Sequence, residues 1–369
     1  MHSKQTFPHK WDWELFILVF ILTGIGLMMV FSSSFVLAQK QYGDPYFFLK
    51  RQGFYAFIGI ILMLGMIRYI PYQLYQRLTY PLLCLAIIGL ILVFVPGIGR
   101  KINNATRWIR VGHFSLQPSE FAKIAFISYL AAAVSREEKI KQFSVGILPT
   151  LIIYSIFAGL LLAEPDMGTV LLLASLTFCM LFLGGAKIKH LFIITCPGIA
   201  GLFYLLIKAP YRLKRLLAFL HPENDPLGVG YVILHSKLAF ASGGFWGQGL
   251  GASQQKLFYL PEPFTDYIFS ILGEELGFWG VAFITFLFAL LIWRGINIAR
   301  GARDLFGFYL ALGITLWLSM QTIIHMGVCL GLLPPKGITL PFISYGGSAL
   351  LANFMAIGIL ENIHAQGQR

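Results

Sequence analysis

Apolar residues run along this chain in blocks of roughly 15 to 25, separated by short polar or charged stretches, and a helix needs about that length to cross a bilayer. Ten such blocks can be read, at residues 15–37, 54–70, 78–95, 121–134, 145–162, 168–185, 191–207, 267–293, 305–332 and 345–360. The ten-residue alternation of membrane β-barrel strands is missing. The pattern therefore predicts an all-α polytopic membrane protein of about ten transmembrane helices, with a long outer loop, residues 208–266, between helices 7 and 8. No fixed-period repeat, low-complexity tract or linker interrupts the series, so residues 1–369 read as a single transmembrane domain with that loop inside it. The first block is longer than the core of a signal peptide and lacks a small-residue cleavage site, so it is expected to stay as the first membrane helix.

Composition agrees with the pattern: of 369 residues, 57% are hydrophobic and 12% charged, which excludes a water-soluble globule. A net charge of +12 raises the question of nucleic acid. The basic residues sit at the ends of apolar blocks, where Lys and Arg anchor helices at the interface, so the expected contact is the lipid bilayer and not nucleic acid. Cys84, Cys179, Cys196 and Cys329 lie in or beside apolar blocks without metal-ligand spacing and read as small core residues. An even number of spans puts both termini on one side, together with the short basic loops 68–77, 136–141, 187–189 and 294–303. By the positive-inside rule that side is cytoplasmic. The outer side then receives the longer segments 39–53, 96–118, 164–167, 208–266 and 333–344, with seven of the sixteen acids, so chemistry is expected there.

Five stretches carry candidate chemistry. Arg100, Lys101, Arg107 and Arg110 surround Trp108, a composition that suits either interfacial anchoring or an anion site, since guanidinium forks match phosphate oxygens. Glu120 and Lys123 are spaced i, i+3 just inside an apolar block and are each other's natural partners, or else the wall of a cavity facing an anionic ligand. Glu164-Pro165-Asp166-Met167-Gly168-Thr169 reads as a capped turn. Asp266 stands where the long loop enters the bilayer, so partial desolvation would raise its pKa toward that of a general base, with N-capping of the next span as the plainer role. Glu275, deeper in that span, is a functional candidate or half of a buried ion pair. The stretch 333–348, broken by prolines and glycines, cannot stay helical and reads as a re-entrant loop with Lys336 as its only charge. Arg212, Lys214 and Arg215 fall in an amphipathic run expected to lie on the bilayer and not on substrate. The Gly243–Gly251 cluster follows no strand and makes no nucleotide fingerprint, and the histidines form no zinc motif.

Taken together and in order, these pieces resemble the SEDS family of bacterial membrane proteins (shape, elongation, division and sporulation), and the resemblance covers nearly the whole chain. The matching residues are Asn103 with Ala105, Arg107 and Trp108; Gln117-Pro118-Ser119-Glu120 with Lys123; Glu164-Pro165-Asp166 with Gly168-Thr169; Tyr259-Leu260-Pro261-Glu262 with Thr265-Asp266; Gly273-Glu274-Glu275-Leu276-Gly277; and Gly331 through Pro334 with Ser344 through Ser348. Residues 259–277 and 333–348 are worded more like the division members than the elongation members. Phe264, Asn104 and His325 depart from the residues usual in the family, where His, Gly and Asn stand.

The resemblance implies an inverting peptidoglycan glycosyltransferase that polymerises lipid II on the outer face of the bacterial cytoplasmic membrane, at the division septum, with a class B penicillin-binding protein and other division or elongation proteins as partners. It places Asp266 at the catalytic position. Around it, Arg107, Lys123, Glu120, Lys336, Glu275 and Ser344 are expected to face substrate. No motif encodes a cofactor or a metal site; a divalent cation, Mg²⁺ or Mn²⁺, would accompany the pyrophosphate of the substrate. Two other readings share these features: a lipid II flippase, with acids and cations distributed across the membrane depth, and a non-catalytic scaffold for the penicillin-binding protein.

Overall fold

A computed structural model describes residues 11–102, 105–112, 114–208, 210–225 and 228–367. Each of the ten apolar blocks forms a helix: α1 Trp13–Tyr42, α2 Phe47–Tyr69, then after the short α3 Gln73–Arg77, α4 Thr79–Leu92, α5 Pro118–Val134, and after a turn of helix α6 Glu137–Ile140, α7 Leu148–Ala163. There follow α8 Met167–Leu183, α9 Ile188–Lys208, α10 Pro210–Leu220, α11 Val229–Gly243, α12 Ile268–Arg300, α13 Leu305–Cys329 and α14 Gly347–Gly367. Among the described residues six helices are long and apolar enough to cross a membrane, α7 counting with the turn before it, and α4 and α8 are shorter apolar helices. This is an integral membrane protein.

The loops depart from expectation in two places. Residues 99–116, read as either an interfacial anchor or an anion site, form a three-stranded antiparallel sheet, β1 Gly99–Ile102, β2 Ala105–Val111 and β3 Phe114–Leu116. The sheet satisfies its backbone by pairing, and the β-branched Thr106 and Ile109 favour it. The long loop contains α10, as its amphipathic pattern suggests, but also α11, whose sequence gave no such signal.

Long-range polar contacts fix which helix ends lie together. At one end, the Asp12 N–H donates to Glu361 at 3.2 Å, Arg294 pairs with Asp12 and with Glu14 at 3.1 Å, Tyr72 Oη donates to Asp304 at 2.9 Å, and Gln73 Nε2 donates to Gln366 at 2.7 Å. This end gathers the start of α1, the α2–α4 and α12–α13 connections and the end of α14. At the other end, Phe48, Phe264 and Tyr345 stack with centroids 4.6–5.6 Å apart, and Gln52 reaches the segment before α14. The two chain ends therefore share one side, and the loop bearing Asp266 lies on the opposite side.

α12 is broken at Gly277, whose φ of 65° and ψ of −163° no L-residue adopts comfortably. The carbonyls freed by the break are taken up by the glycine cluster that the sequence left unexplained: Gln248 N–H donates to Glu274 O at 2.9 Å and Gly249 N–H to Glu275 O at 3.0 Å. Around this joint the charges are buried and paired. Lys256 Nζ lies 2.7 Å from Glu275, whose carboxylate also accepts from Ser32 Oγ on α1 at 2.7 Å. Glu274 accepts from Ser253 Oγ, from the Gln254 N–H at 3.1 Å and from the Gln255 N–H at 3.3 Å. Two neighbouring carboxylates thus clamp residues 253–256, the stem of the loop that ends at Asp266, to α12 and α1.

Removing one partner of such a pair strands a buried charge, which costs about 3–5 kcal/mol. Lys256→Met should lower the thermal unfolding midpoint of the purified protein in detergent, and the double variant Lys256→Met, Glu275→Met should recover most of the loss. An unchanged midpoint in the single variant would contradict the clamp.

Candidate active site

Asp266 closes a tight turn, 262–266, just before α12. The turn is held by its own N–H groups, Thr265 and Asp266 both donating to Glu262 O at 3.3 and 3.2 Å, and by two contacts with the irregular segment ahead of α14. Ser344 Oγ donates to Thr265 O at 2.7 Å and accepts from the Leu340 N–H at 2.8 Å, while the Tyr345 N–H donates to Phe264 O at 2.9 Å. Ser344 is thus a hinge pin between two loops, and it is buried.

The segment 333–346 has no regular secondary structure and is buried from Leu340 to Ser344. Its polar backbone groups are met by side chains from two helices. Gln52 on α2 donates to Ser344 O at 3.1 Å and accepts from the Gly346 N–H at 3.3 Å. Gln321 on α13 donates to Thr339 O at 2.8 Å, and His325 lies with Nδ1 2.6 Å from Ile338 O. That contact needs the proton on Nδ1, so His325 acts here as a backbone donor, as the amide of the usual Asn could.

Lys123 and Glu120 belong to the same brace. Lys123 Nζ lies 2.8 Å from Glu120 and 3.3 Å from Gln321 Oε1, over the Trp317 ring at 4.8 Å, and the indole N–H donates to the same Gln321 oxygen at 2.7 Å. The pair is almost fully buried and orients the amide that carries Thr339.

Asp266 faces a cavity of about 190 Å³ lined by Arg215, Val229, Val232, Pro261, Glu262, Tyr267, Pro335, Lys336 and Gly337. Burial pushes its carboxyl up to about 7, helped by the charge of Glu262 and opposed by Arg107 and Arg215. Arg215, expected on the bilayer surface, instead lines this cavity, because α10 folds back toward α11 and the turn. Arg107 on β2 donates from Nε to Glu164 O at 3.0 Å and from Nη2 to Pro165 O, so the sheet leans on the α7–α8 turn and its guanidinium stands near both acids. Glu164 is buried, and desolvation with the adjacent Asp166 pushes it up to about 8. Asp166 caps α8, accepting from the Thr169 N–H at 3.2 Å and its hydroxyl at 2.7 Å, the capped turn read from the sequence.

Lys336 and Asp266 thus line one cavity with Arg107 near it, Ser344 holds the two loops together, and Lys123, Glu120 and Glu275 lie in buried pairs that support those loops. Asn103 and Asn104 lie outside the described residues, as does the side chain of Arg212. Two residues were not placed at the site from the sequence. Lys256 neutralises Glu275 from a loop 19 residues away, a pairing no periodicity signals; Arg215 could have been suspected from its place at the loop's only basic run. Among the described residues no cluster of His, Cys, Asp and Glu is arranged to hold a metal ion.

Residues 13–369 match the model of the FtsW/RodA/SpoVE family, described as cell cycle protein. The chain belongs to this family. It is 48% identical over 359 residues to the probable peptidoglycan glycosyltransferase FtsW of Trichlorobacter lovleyi, covering 96% of this chain and 93% of that one. It is 44% identical over 365 residues to stage V sporulation protein E of Bacillus subtilis, covering 98% of both. Among solved structures, a chain from a peptidoglycan synthase complex that coordinates polymerization and crosslinking superposes with a TM-score of 0.77 at 29% identity, covering 98% of this chain and 99% of that one. The rod shape determining protein RodA of Thermus thermophilus superposes at 0.72 and 27% identity over 98% of each chain. The helical membrane fold is thus shared with these solved structures.

Gly337 packs against the catalytic candidate: a Cβ there would lie 3.0 Å from an Asp266 carboxylate oxygen. Gly337→Ala should displace that carboxylate and lower turnover by about tenfold or more, as misplacing a reacting group does, without changing the unfolding midpoint. Turnover equal to the native protein would show that the carboxylate position is not critical.

Proposed function

We propose that this protein is a peptidoglycan glycosyltransferase that polymerises lipid II, with Asp266 as general base. The observation that carries this reading is the pairing of geometry and family: the one half-buried carboxylate at the mouth of the outer cavity is held by two loops in a fold whose relatives are named peptidoglycan glycosyltransferases. In the reaction Asp266 takes the proton from the acceptor sugar hydroxyl as its oxygen attacks the anomeric carbon of the donor. The bond from that carbon to the pyrophosphate oxygen breaks, the configuration inverts, and the polyprenyl pyrophosphate leaves. Negative charge grows on the leaving group, and Arg107, Arg215 and Lys336 are the cations on this side of the molecule that meet it. A Mg²⁺ or Mn²⁺ ion carried by the pyrophosphate would share that charge.

The flippase reading calls for charges strung along a path through the membrane. Here the two buried lysines are each neutralised within the protein, Lys123 by Glu120 and Lys256 by Glu275, which supports chemistry over transport. The shared side of both termini carries the short basic loops, so it faces the cytoplasm and Asp266 faces outward. The similarity to a synthase complex supports a class B penicillin-binding protein as partner, and the FtsW-named relatives support a place at the division septum.

The test supplies purified lipid II to the protein with its penicillin-binding partner. Asp266→Asn should lower glycan polymer by about 100-fold or more, the range expected for loss of a general base, with its unfolding midpoint retained. Polymer at the native level would remove Asp266 as the base, and no polymer from the native protein while lipid II crosses vesicle membranes would favour the flippase. A carboxylate raised to about 7 acts as a base only when deprotonated, so the native rate should climb from pH 6 to pH 8 through that midpoint. A rate flat across that interval would contradict the assignment.

A further inference from the structure

The end of the molecule opposite Asp266 carries a second cavity of about 190 Å³, lined by Gln76, Thr79, Tyr80, Tyr129, Arg136 and Lys139, with the small Ala132, Ala133 and Gly146 giving it depth. Its walls are the start of α4, the end of α5, α6 and the turn entering α7. No acid lines it. Glu138 on α6 is taken by Lys141 at 3.0 Å. Among the described residues neither Arg136 nor Lys139 has a carboxylate partner, so the cavity presents two cations and two phenols.

Its mouth continues into apolar surface. From Tyr80 the exposed positions Cys84, Ile88 and Ile91 run up α4 at helical spacing, and from Val145 the exposed Leu148, Ile152 and Ile156 run up the neighbouring α7. A charged pocket at the interface joined to two apolar stripes directed into the membrane matches an amphipathic anion and not a soluble one.

We propose that this cavity binds the phosphate of an anionic phospholipid, with Arg136 and Lys139 on the phosphodiester, Tyr80 and Gln76 on its glycerol headgroup, and the acyl chains along the α4 and α7 stripes. The site is separate from the transferase cavity and lies in the opposite leaflet. A lipid bound there ties α4 and α5 to α7, the helices that carry the sheet and the Glu164 turn at the other end.

The full-length protein would be reconstituted in nanodiscs of equimolar phosphatidylglycerol and phosphatidylcholine, and the lipids retained on release counted by native mass spectrometry. Phosphatidylglycerol should be retained selectively, and Arg136→Gln with Lys139→Gln should reduce that retention by about tenfold, as loss of two interfacial cations would. Lys141→Gln, whose lysine is engaged by Glu138, should leave it unchanged. Ala133→Trp, which fills the cavity and keeps both cations, should also abolish retention, separating a seated lipid from general attraction to basic surface. Equal retention of the two lipids by the native protein, full phosphatidylglycerol retention by either cavity variant, or displacement of the lipid by millimolar glycerol 3-phosphate alone would overturn the proposal.

Discussion

Backbone that is not helical cannot stand inside a membrane unless protein supplies its hydrogen bonds, and the segment between α13 and α14 is organised by that constraint. Proline and glycine break the helix there, leaving carbonyls at Ile338, Thr339 and Ser344 to be met. His325, Gln321 and Gln52 meet them from α13 and α2. Those side chains are in turn fixed, Gln321 by Lys123 and Trp317. The loop so held is rigid enough to hold its neighbour: Ser344 and Tyr345 bind the backbone of Thr265 and Phe264, and Asp266 follows. The position of the carboxylate is therefore set by a chain of contacts that begins with an irregular backbone's need for partners.

Charge follows the same economy. Isolated ions at membrane depth are expensive, so Lys123 and Lys256 are each paired with an acid and Glu274 is met by hydrogen-bond donors, where loops meet helices. Glu274 and Glu275 anchor the stem of the loop that ends in Asp266, and Glu120 with Lys123 braces the loop that faces it. What remains without an internal counter-ion is concentrated near the aqueous ends: Asp266 beside Glu262 in the outer cavity, and Arg136 with Lys139 in the inner one.

The helices were legible because bilayer thickness imposes a block length, and each of the ten blocks became a helix. The irregular segment was legible for a related reason, since Pro334, Pro335, Pro341 and the glycines beside them forbid a helix whatever the context. Residues 99–116 were not, because short strands rich in Arg and Lys look like interfacial anchors until their pairing register is known. Nor was α11, which has no marked apolar face to announce it, or the Lys256–Glu275 pair, which depends on the loop folding back at Gly277. Asp266 could be picked out from its place at a loop entering the bilayer and from the family's motif. The expectation for Arg215 failed because an amphipathic pattern tells how a helix meets an interface, not which cavity it borders.

Burial, helped by the charge of the neighbouring Glu262, raises the Asp266 carboxyl into the range of a base working near neutrality. Infrared difference spectra of the native protein minus Asp266→Asn, recorded in lipid across pH, follow that one protonated carboxyl directly. Loss of its band with a midpoint of about 7 is the predicted result. A midpoint at the ordinary 3.8 of an exposed aspartate would contradict the claim, and with it the argument that the two loops exist to prepare this side chain.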